Sequence, residues 1–308
     1  MAVLNRLLPS RIYRRCISRL VHLLGTAGVA GIVLATGLLP GSICRAYVLE
    51  GPHVLDLMTR TKSKIQTLQV EQRVIVEDPA VSNQPIELEE ILRFSFPDTF
   101  RSDSQYEQTH RVLVVTSDQA LTVIDGRIVS NQQGRFDRYK DLLLYRTRYL
   151  LHQALIAQHV DTGQTSLGRW DDHIVFVIGA QYPDESVSQL WVDKELFLPM
   201  RWIIVPPDPD NAEAAKTRRL EFIYRDWRKM NGIWYPMQIE TTLNQQRIRL
   251  VRVKTVQPNT VMDAELFNIS RLMTLYAPAE SGEPLPQPES ELDEVDRTIE
   301  DFRKKFEP

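Results

Sequence analysis

The sequence predicts a mainly β fold, in which a curved antiparallel sheet or barrel carries added helices. Short segments of alternating apolar and polar residues recur roughly every 8–12 residues, a spacing typical of an antiparallel meander. The segment 220–240 is the clearest of them, because Asn231-Gly232 joins two aromatic-rich arms and favours a tight hairpin turn. Asp125-Gly126 marks a second turn of the same kind.

Apolar periodicity places the elements along the chain. A helix over 51–65 comes first, with Val54, Leu55 and Met58 partly sharing one face. Besides the 220–240 hairpin, the alternation predicts strands over 68–76, 85–96, 99–103, 111–116, 120–124, 127–129, 173–178, 187–192, 200–205 and 247–256. A short segment over 267–269 is expected to close the sheet. Glu90 falls on the apolar face of its strand, so we expect it at a strand end or in contact with water.

The stretch 135–158 interrupts this run of strands. It contains neither Gly nor Pro and carries leucines at helical spacing, so it predicts one inserted helix. The helix either packs as an ordinary core element or lies over the mouth of the sheet. In the second case its covering residues are Leu143, Leu144, Leu150, Leu151 and Leu155.

Charge is distributed unevenly along the 308 residues. The formal net charge is −3, but residues 1–46 hold six Arg and no acidic residue, so the remainder carries 31 basic against 40 acidic side chains. There is no basic surface of the size that nucleic-acid binding requires, and we expect no nucleic-acid partner.

The N-terminus has the three parts of an export signal. Arginines between residues 11 and 19 form the positive region, an uncharged stretch follows over 20–43, and Ala46 ends a small-residue cleavage site. We expect cleavage before Tyr47 and export to the periplasm. Two alternatives stay open: an uncleaved inner-membrane anchor, since the apolar stretch is long enough to span a bilayer, and lipidation of Cys44. The two cysteines, Cys16 and Cys44, both lie in this segment, so the protein has no thiol if the segment is removed.

The sequence lacks the usual catalytic and cofactor motifs. No two of its six His have metal-ligand spacing, and it has no Gly-rich phosphate loop and no G-x-S-x-G nucleophile motif. Trp170-Asp171-Asp172-His173 is the one carboxylate–His cluster, and a turn before the strand 173–178 accounts for it better than acid–base chemistry does. We therefore expect no enzyme, no cofactor and no metal.

The composition changes after Tyr276. Residues 277–290 are rich in Pro and Glu, which is typical of an extended linker. Residues 291–308 then predict a short amphipathic helix that needs a surface to dock on, or else a disordered acidic tail. The apolar stripe of that helix consists of Leu292, Val295, Ile299, Phe302 and Phe306.

Several segments, taken together, resemble the LolA/LolB superfamily of bacterial periplasmic lipoprotein carriers, which also includes the sensor RseB. They are the Trp-Val-Asp-Lys…Leu-Pro turn over 190–201, the hairpin over 224–236 and the Asn…Asp…Phe segment over 259–267. Two opening segments, 55–72 and 96–101, are similar to the superfamily's first helix and strand turn. The resemblance covers most of 47–270 and makes 47–276 one domain.

The resemblance implies a strongly curved half-barrel sheet with helices as a lid on its concave face, and an apolar cavity between them. It implies a monomeric carrier of lipid or lipoprotein acyl chains on the route to the outer membrane. The alternative is a sensor like RseB, which uses the same cavity and a membrane-protein partner. The expected cavity residues are Val70, Leu92, Phe94, Trp191, Trp202, Phe222 and Tyr224. One position departs from the pattern: Phe96 stands where the LolA branch has an Arg before the Pro, so that branch's lid latch does not carry over.

Overall fold

We describe the protein from a computed structural model, whose described residues are 48–61, 65–79, 82, 84–206 and 219–278. The predicted export signal over 1–46, most of the predicted linker and the predicted helix over 291–308 lie outside these residues. They stay predictions.

Fourteen strands and four α-helices make up the described part of the chain. The strands are β1 Thr67–Val76, β2 Ile86–Ser95, β3 Thr99–Tyr106, β4 Thr109–Val115, β5 Ala120–Ile124, β6 Arg127–Ser130, β7 Thr165–Trp170, β8 His173–Ile178, β9 Gln189–Asp193, β10 Pro199–Ile204, β11 Leu220–Met230, β12 Ile233–Leu243, β13 Gln246–Pro258 and β14 Ala277–Pro278. The α-helices are α1 Gly51–Thr61, α2 Asp141–Leu144, α3 Arg148–Ala157 and α4 Ile269–Leu275, and two 3-10 helices span Arg135–Lys140 and Ala264–Phe267.

All fourteen strands belong to one open sheet. Their order is β14-β6-β5-β4-β3-β2-β1-β13-β12-β11-β10-β9-β8-β7, so β14 and β7 are the two edges. Neighbours are antiparallel except β14, which runs parallel to β6 at Arg127 and Ile128. The predicted mainly β, antiparallel fold class with added helices is confirmed. The first two residues of the predicted linker, Ala277 and Pro278, extend the sheet.

Both predicted hairpin turns form as their sequences indicate. Asn231 and Gly232 have φ of 50° and 85°, and Met230 pairs with Ile233. Asp125 and Gly126 have φ of 48° and 79°. Two successive residues with positive φ define the turn that matches the twist of the flanking strands, and Asn-Gly and Asp-Gly adopt it most readily.

Alternate residues of each strand pack on opposite faces of the sheet. One face carries the main apolar cluster, which runs from Val115 on β4 to Phe176 on β8 through all the strands between them in the sheet. The other face carries two smaller clusters. One lies between β4–β6 and α4, and the second joins β8 and β9 to Trp170.

The helices α1, α2 and α3 and the first 3-10 helix cover the main apolar face. Tyr139 shows how closely they fit the sheet. Its hydroxyl accepts a hydrogen bond from Gln72 Nε2 on β1 at 2.8 Å, and its carbonyl oxygen accepts one from the Tyr224 hydroxyl on β11 at 2.8 Å. One residue thus reaches strands three positions apart in the sheet order, as expected for a face that curves around its helical cover.

The predicted single helix over 135–158 is wrong, because the segment forms a 3-10 helix, α2 and α3 with a break at 145–147. Thr147 causes the break. Its backbone is extended (φ −119°, ψ 145°), and its side chain accepts a hydrogen bond from the Leu150 N–H at 3.3 Å, which caps α3.

Two other predictions of secondary structure need correction. The segment 267–269 joins two helices and forms no strand. Phe267 ends the second 3-10 helix, and the extended Asn268 caps α4, since its side chain accepts a hydrogen bond from the Arg271 N–H at 3.0 Å. The strand β7 was missed, since its alternation is weak. It pairs with β8 through a turn in which Asp171 and Asp172 have φ of 43° and 66°. The Trp170–His173 cluster is therefore a turn, as predicted.

Candidate functional site

Six of the seven expected cavity residues lie on the main apolar face, but they form a closed core. They are Val70, Leu92, Phe94, Trp202, Phe222 and Tyr224, and each is 0% exposed. Aromatic contacts link several of them: the rings of Trp202 and Phe222 lie 5.8 Å apart, and those of Phe222 and Tyr139 lie 6.2 Å apart. With the helices in these positions, no acyl chain can reach these side chains.

Trp191 lies on the opposite face, so its placement among the cavity residues was wrong. It alternates with Leu190 and Val192, which belong to the main cluster, and it packs edge-on against Trp170 with 5.6 Å between the rings. The Arg201 guanidinium lies 4.7 Å from the Trp191 ring and pairs with Glu221 at 2.8 Å. This face is therefore buried as well, by Trp170 and paired charges.

The expected lid residues divide in two. Leu143, Leu144, Leu151 and Leu155 are buried in the main cluster, which places α2 and α3 directly on the sheet. Leu150 is half-buried and is absent from that cluster. The helices thus occupy the position of a cover.

A pocket remains where this cover meets the sheet. Its walls come from α1, β1, α2, the β9–β10 turn and the end of the β11–β12 hairpin. The lining residues are Met58, Thr61, Leu68, Leu142, Leu143, Arg146, Phe197, Leu198, Pro199, Trp227, Ile233, Trp234 and Tyr235. The cavity measures about 30 Å³, room for about two water molecules, whereas a small-molecule pocket usually measures about 300–1,000 Å³. A ligand with an acyl chain needs the helices to move.

Two polar side chains of the pocket lack partners. The Arg146 Nε and the Tyr235 hydroxyl are buried without a hydrogen bond to any described residue. The Arg146 guanidinium lies 3.7 Å from the centre of the Phe96 ring. Burial lowers the pKa of Arg146 to about 10 and raises that of Tyr235 well above its usual value.

A buried charge cluster fixes the first 3-10 helix to the sheet. Lys140, which is 0% exposed, lies with its Nζ 2.9 Å from Glu90 Oε1 and 3.2 Å from Asp137 Oδ1. Asp137 in turn pairs with Arg111 at 2.6 Å, and the Ser102 hydroxyl donates to Glu90. Glu90 lies in the middle of β2 rather than at a strand end or in water, because Lys140 neutralises it.

The pKa values of the buried acids follow from these contacts. Burial alone would raise the pKa of Glu90, but Lys140 and the Ser102 hydroxyl hold it below its usual value. Arg111 and Lys140 likewise outweigh burial and lower the pKa of Asp137. Asp141 receives a hydrogen bond from Gln133 Nε2 at 2.9 Å, but none of the described cations pairs with it directly. Burial therefore outweighs the more distant charges of Arg138 and Lys140 and raises the pKa of Asp141 to about 6.

Sequence reasoning missed most of the pocket. The expected residues include one of its lining residues, Leu143. Trp227, Ile233 and Tyr235 were visible as the aromatic and aliphatic end of the hairpin, a signal that could have led to them. Arg146 carried no signal, because the predicted helix ran through it.

The described residues contain no group of three or more metal-ligating side chains. His173 Nδ1 pairs with Asp193 Oδ2 at 2.8 Å rather than with the neighbouring Asp171 and Asp172. None of the helices within the described ranges combines the length and the apolar character needed to cross a membrane.

The structure defines an open antiparallel sheet with helices on one face and an apolar pocket at their junction. No family model and no curated protein matches the sequence. Solved structures do match. An outer membrane lipoprotein-sorting protein domain from Vibrio parahaemolyticus gives a TM-score of 0.47 at 11% identity, over 72% of this chain and 97% of that one.

Two further structures match at similar levels. A LolA superfamily protein from Nitrosomonas europaea gives a TM-score of 0.46 at 11% identity, over 71% of this chain and 98% of that one. A DUF1329 family protein from Desulfovibrio piger gives 0.47 at 11% identity, over 72% and 97%. The sequence segments resemble the same LolA superfamily.

Proposed function

We propose that this protein is a non-enzymatic binding protein of the bacterial periplasm that holds acyl chains of lipids or lipoproteins between its sheet and its helical cover. The observation that carries the proposal is the pocket at the junction of α1, α2 and the β11–β12 hairpin. Its lining is largely apolar and is continuous with the main core through Met58, Leu68 and Leu143.

The energetics favour capture of a chain at this place. Burying each methylene contributes roughly 0.8 kcal/mol, so a chain of ordinary length supplies enough free energy to separate two packed surfaces. The separation needed is local. Chain binding would extend the pocket between α2 and Trp227 and Ile233 of the hairpin, while the remaining core keeps its contacts.

The sequence supports the same proposal from three independent directions. It predicts an export signal over 1–46, it lacks the usual catalytic motifs, and its segments over 190–201 and 224–236 resemble periplasmic lipoprotein carriers. As in the sensor alternative, we further propose that the protein binds a membrane-protein partner and that the predicted helix over 291–308 would contact it.

The test compares two isoleucine truncations of equal chemistry and burial. Ile233 lines the pocket and Ile128 belongs to the cluster under α4, and each is 4% exposed. Both Ile→Ala changes should lower the free energy of unfolding by about 2–5 kcal/mol. Only Ile233→Ala should weaken binding of a neutral apolar dye such as Nile red, by about fivefold or more.

Mass spectrometry of the mature protein purified from periplasm should detect co-purified acyl lipids. If the purified protein carries no lipid and the dye binds both variants as it binds the parent, the proposal is wrong.

A further inference from the structure

The pocket contains a cation that the fold itself does not neutralise. Arg146 lies in the connector between α2 and α3, and no carboxylate of the described residues lies within 4.0 Å of its guanidinium. The guanidinium instead lies over the Phe96 ring, with 3.7 Å between its Cζ and the centre of the ring. By contrast Arg201, the half-buried Arg219 and Arg101 each pair with at least one carboxylate at 2.8 Å or less. The Arg146 side chain is half-buried and its Nε is fully buried without a hydrogen bond, so the fold leaves part of this cation without compensation for its lost hydration.

A second unpaired donor lies beside it. The Tyr235 side chain is 2% exposed, and its hydroxyl has no hydrogen-bond partner among the described residues. Tyr235 and Arg146 line the same pocket and influence each other's pKa, which places them within electrostatic range. Two neighbouring polar groups are satisfied: the Thr61 hydroxyl donates to the Met58 carbonyl at 2.8 Å, and the Trp227 indole N–H donates to the Pro199 carbonyl at 3.1 Å.

We propose that Arg146 and the Tyr235 hydroxyl together bind the anionic head group of an amphiphile whose chain occupies the apolar part of the pocket. A guanidinium offers a planar set of donors that fits two oxygens at once, and a tyrosine O–H adds a third donor. A carboxylate and a phosphate monoester share this chemistry. The inference rests on the proposed function and adds the charge of the ligand to it.

The position of the pair also gives the ligand a direction. Arg146 sits at the break between the two cover helices, and Met58, Leu68 and Leu143 lie on the core side of the pocket. The head group would therefore stay at the connector while the chain enters between α2 and the sheet. The stack on Phe96 holds the guanidinium ready without using its N–H donors, since a ring contacts the face of the guanidinium and leaves its edges free.

The experiment measures binding of three ligands with one shared chain: laurate, monododecyl phosphate and dodecanol. It uses the mature protein stripped of lipid, with calorimetry or dye displacement as the readout. Laurate or monododecyl phosphate, or both, should bind about tenfold or more tightly than dodecanol. Arg146→Gln and Tyr235→Phe should each weaken binding of the preferred anion more than binding of dodecanol and so reduce that preference, and Arg146→Lys should retain part of it. Arg271→Gln, which removes an equal charge from α4, is the matched control and should keep the full preference.

The outcomes separate this inference from the proposed function. The head-group site is overturned if dodecanol binds as tightly as both anions, or if Arg146→Gln weakens binding of all three ligands equally. Either result leaves the acyl-binding proposal standing. Failure of all three ligands to bind overturns both. A preference for laurate over the phosphate, or the reverse, identifies the head group, and melting curves of Tyr235→Phe verify that the variant is folded.

Discussion

Replacing Lys140 by Met tests whether the buried charges hold the helical cover on the sheet. Lys140 is fully buried between Glu90 at 2.9 Å and Asp137 at 3.2 Å. Asp137 keeps Arg111 after the change, whereas Glu90 loses its cation and retains neutral donors such as Ser102. Removing one partner of a buried ion pair costs about 3–5 kcal/mol, because the remaining charge stays out of water. We expect a loss of that size at pH 8 in denaturant unfolding.

The loss should depend on pH in a defined direction. Without Lys140, burial raises the pKa of Glu90 above its value in the unfolded chain, so its ionised form destabilises the fold at high pH. That penalty disappears as Glu90 takes up a proton, and the deficit should be smaller at pH 5 than at pH 8. Adding Glu90→Gln should recover much of the loss at pH 8.

The control is Arg73→Met, which breaks an exposed pair. The Arg73 side chain is 43% exposed and lies 3.0 Å from Glu87, which is 54% exposed. Exposed pairs contribute about 0–1 kcal/mol, so Arg73→Met should lower the free energy of unfolding by no more than this amount. A deficit for Lys140→Met as small as that of Arg73→Met, or one that does not change between pH 5 and pH 8, would refute the reasoning.

Two further predictions concern single buried groups. The pKa of Asp141 is raised to about 6, so the parent should lose about 1 kcal/mol of unfolding free energy from this group as the pH rises from 5 to 7. Asp141→Asn should remove that loss when unfolding is measured across this pH range. An unchanged pH profile would contradict the assignment. The Tyr224 hydroxyl donates at 2.8 Å to the Tyr139 carbonyl, whereas that of Tyr235 has no described partner. Tyr224→Phe should therefore cost about 0.5–1.5 kcal/mol and Tyr235→Phe close to nothing, and equal losses in unfolding would count against the unpaired hydroxyl.

Local signals in the sequence predicted much of the sheet. The turns at Asn231-Gly232 and Asp125-Gly126 depend on the backbone preferences of two residues, so no distant contact is needed to specify them. The alternation of apolar residues placed most strands within a few residues of their observed bounds. The break at Thr147 was also local, but a capping threonine inside a leucine-rich stretch is outweighed by the helical periodicity around it.

The site could not be predicted in the same way, because it depends on contacts between distant parts of the chain. Glu90 and Lys140 are 50 residues apart in sequence, and Glu90 looks out of place on an apolar face until its partner is known. Leu190 and Trp191 are adjacent in β9 and both are apolar, so the alternation of apolar and polar residues does not decide which of them faces the helices. Burial of Trp191 on the other face depends on Trp170 and Arg201, which reach it from β7 and β10.

The helical cover is attached to the sheet unevenly, and this determines where a chain could enter. At the 3-10 helix, Lys140 joins two buried carboxylates, and separating it from them would cost several kcal/mol. At the connector, Arg146 is held by its stack on Phe96, an interaction worth about 0.5–2 kcal/mol. Arg146 lines the pocket at this weaker attachment, so a movement of the connector could widen the pocket while the ion pairs of Lys140 stay intact. A closed core and the proposed binding function are compatible in this fold, because the ion pairs that hold the cover are made by Lys140, whereas the contact of Arg146 with Phe96 can be broken without breaking them.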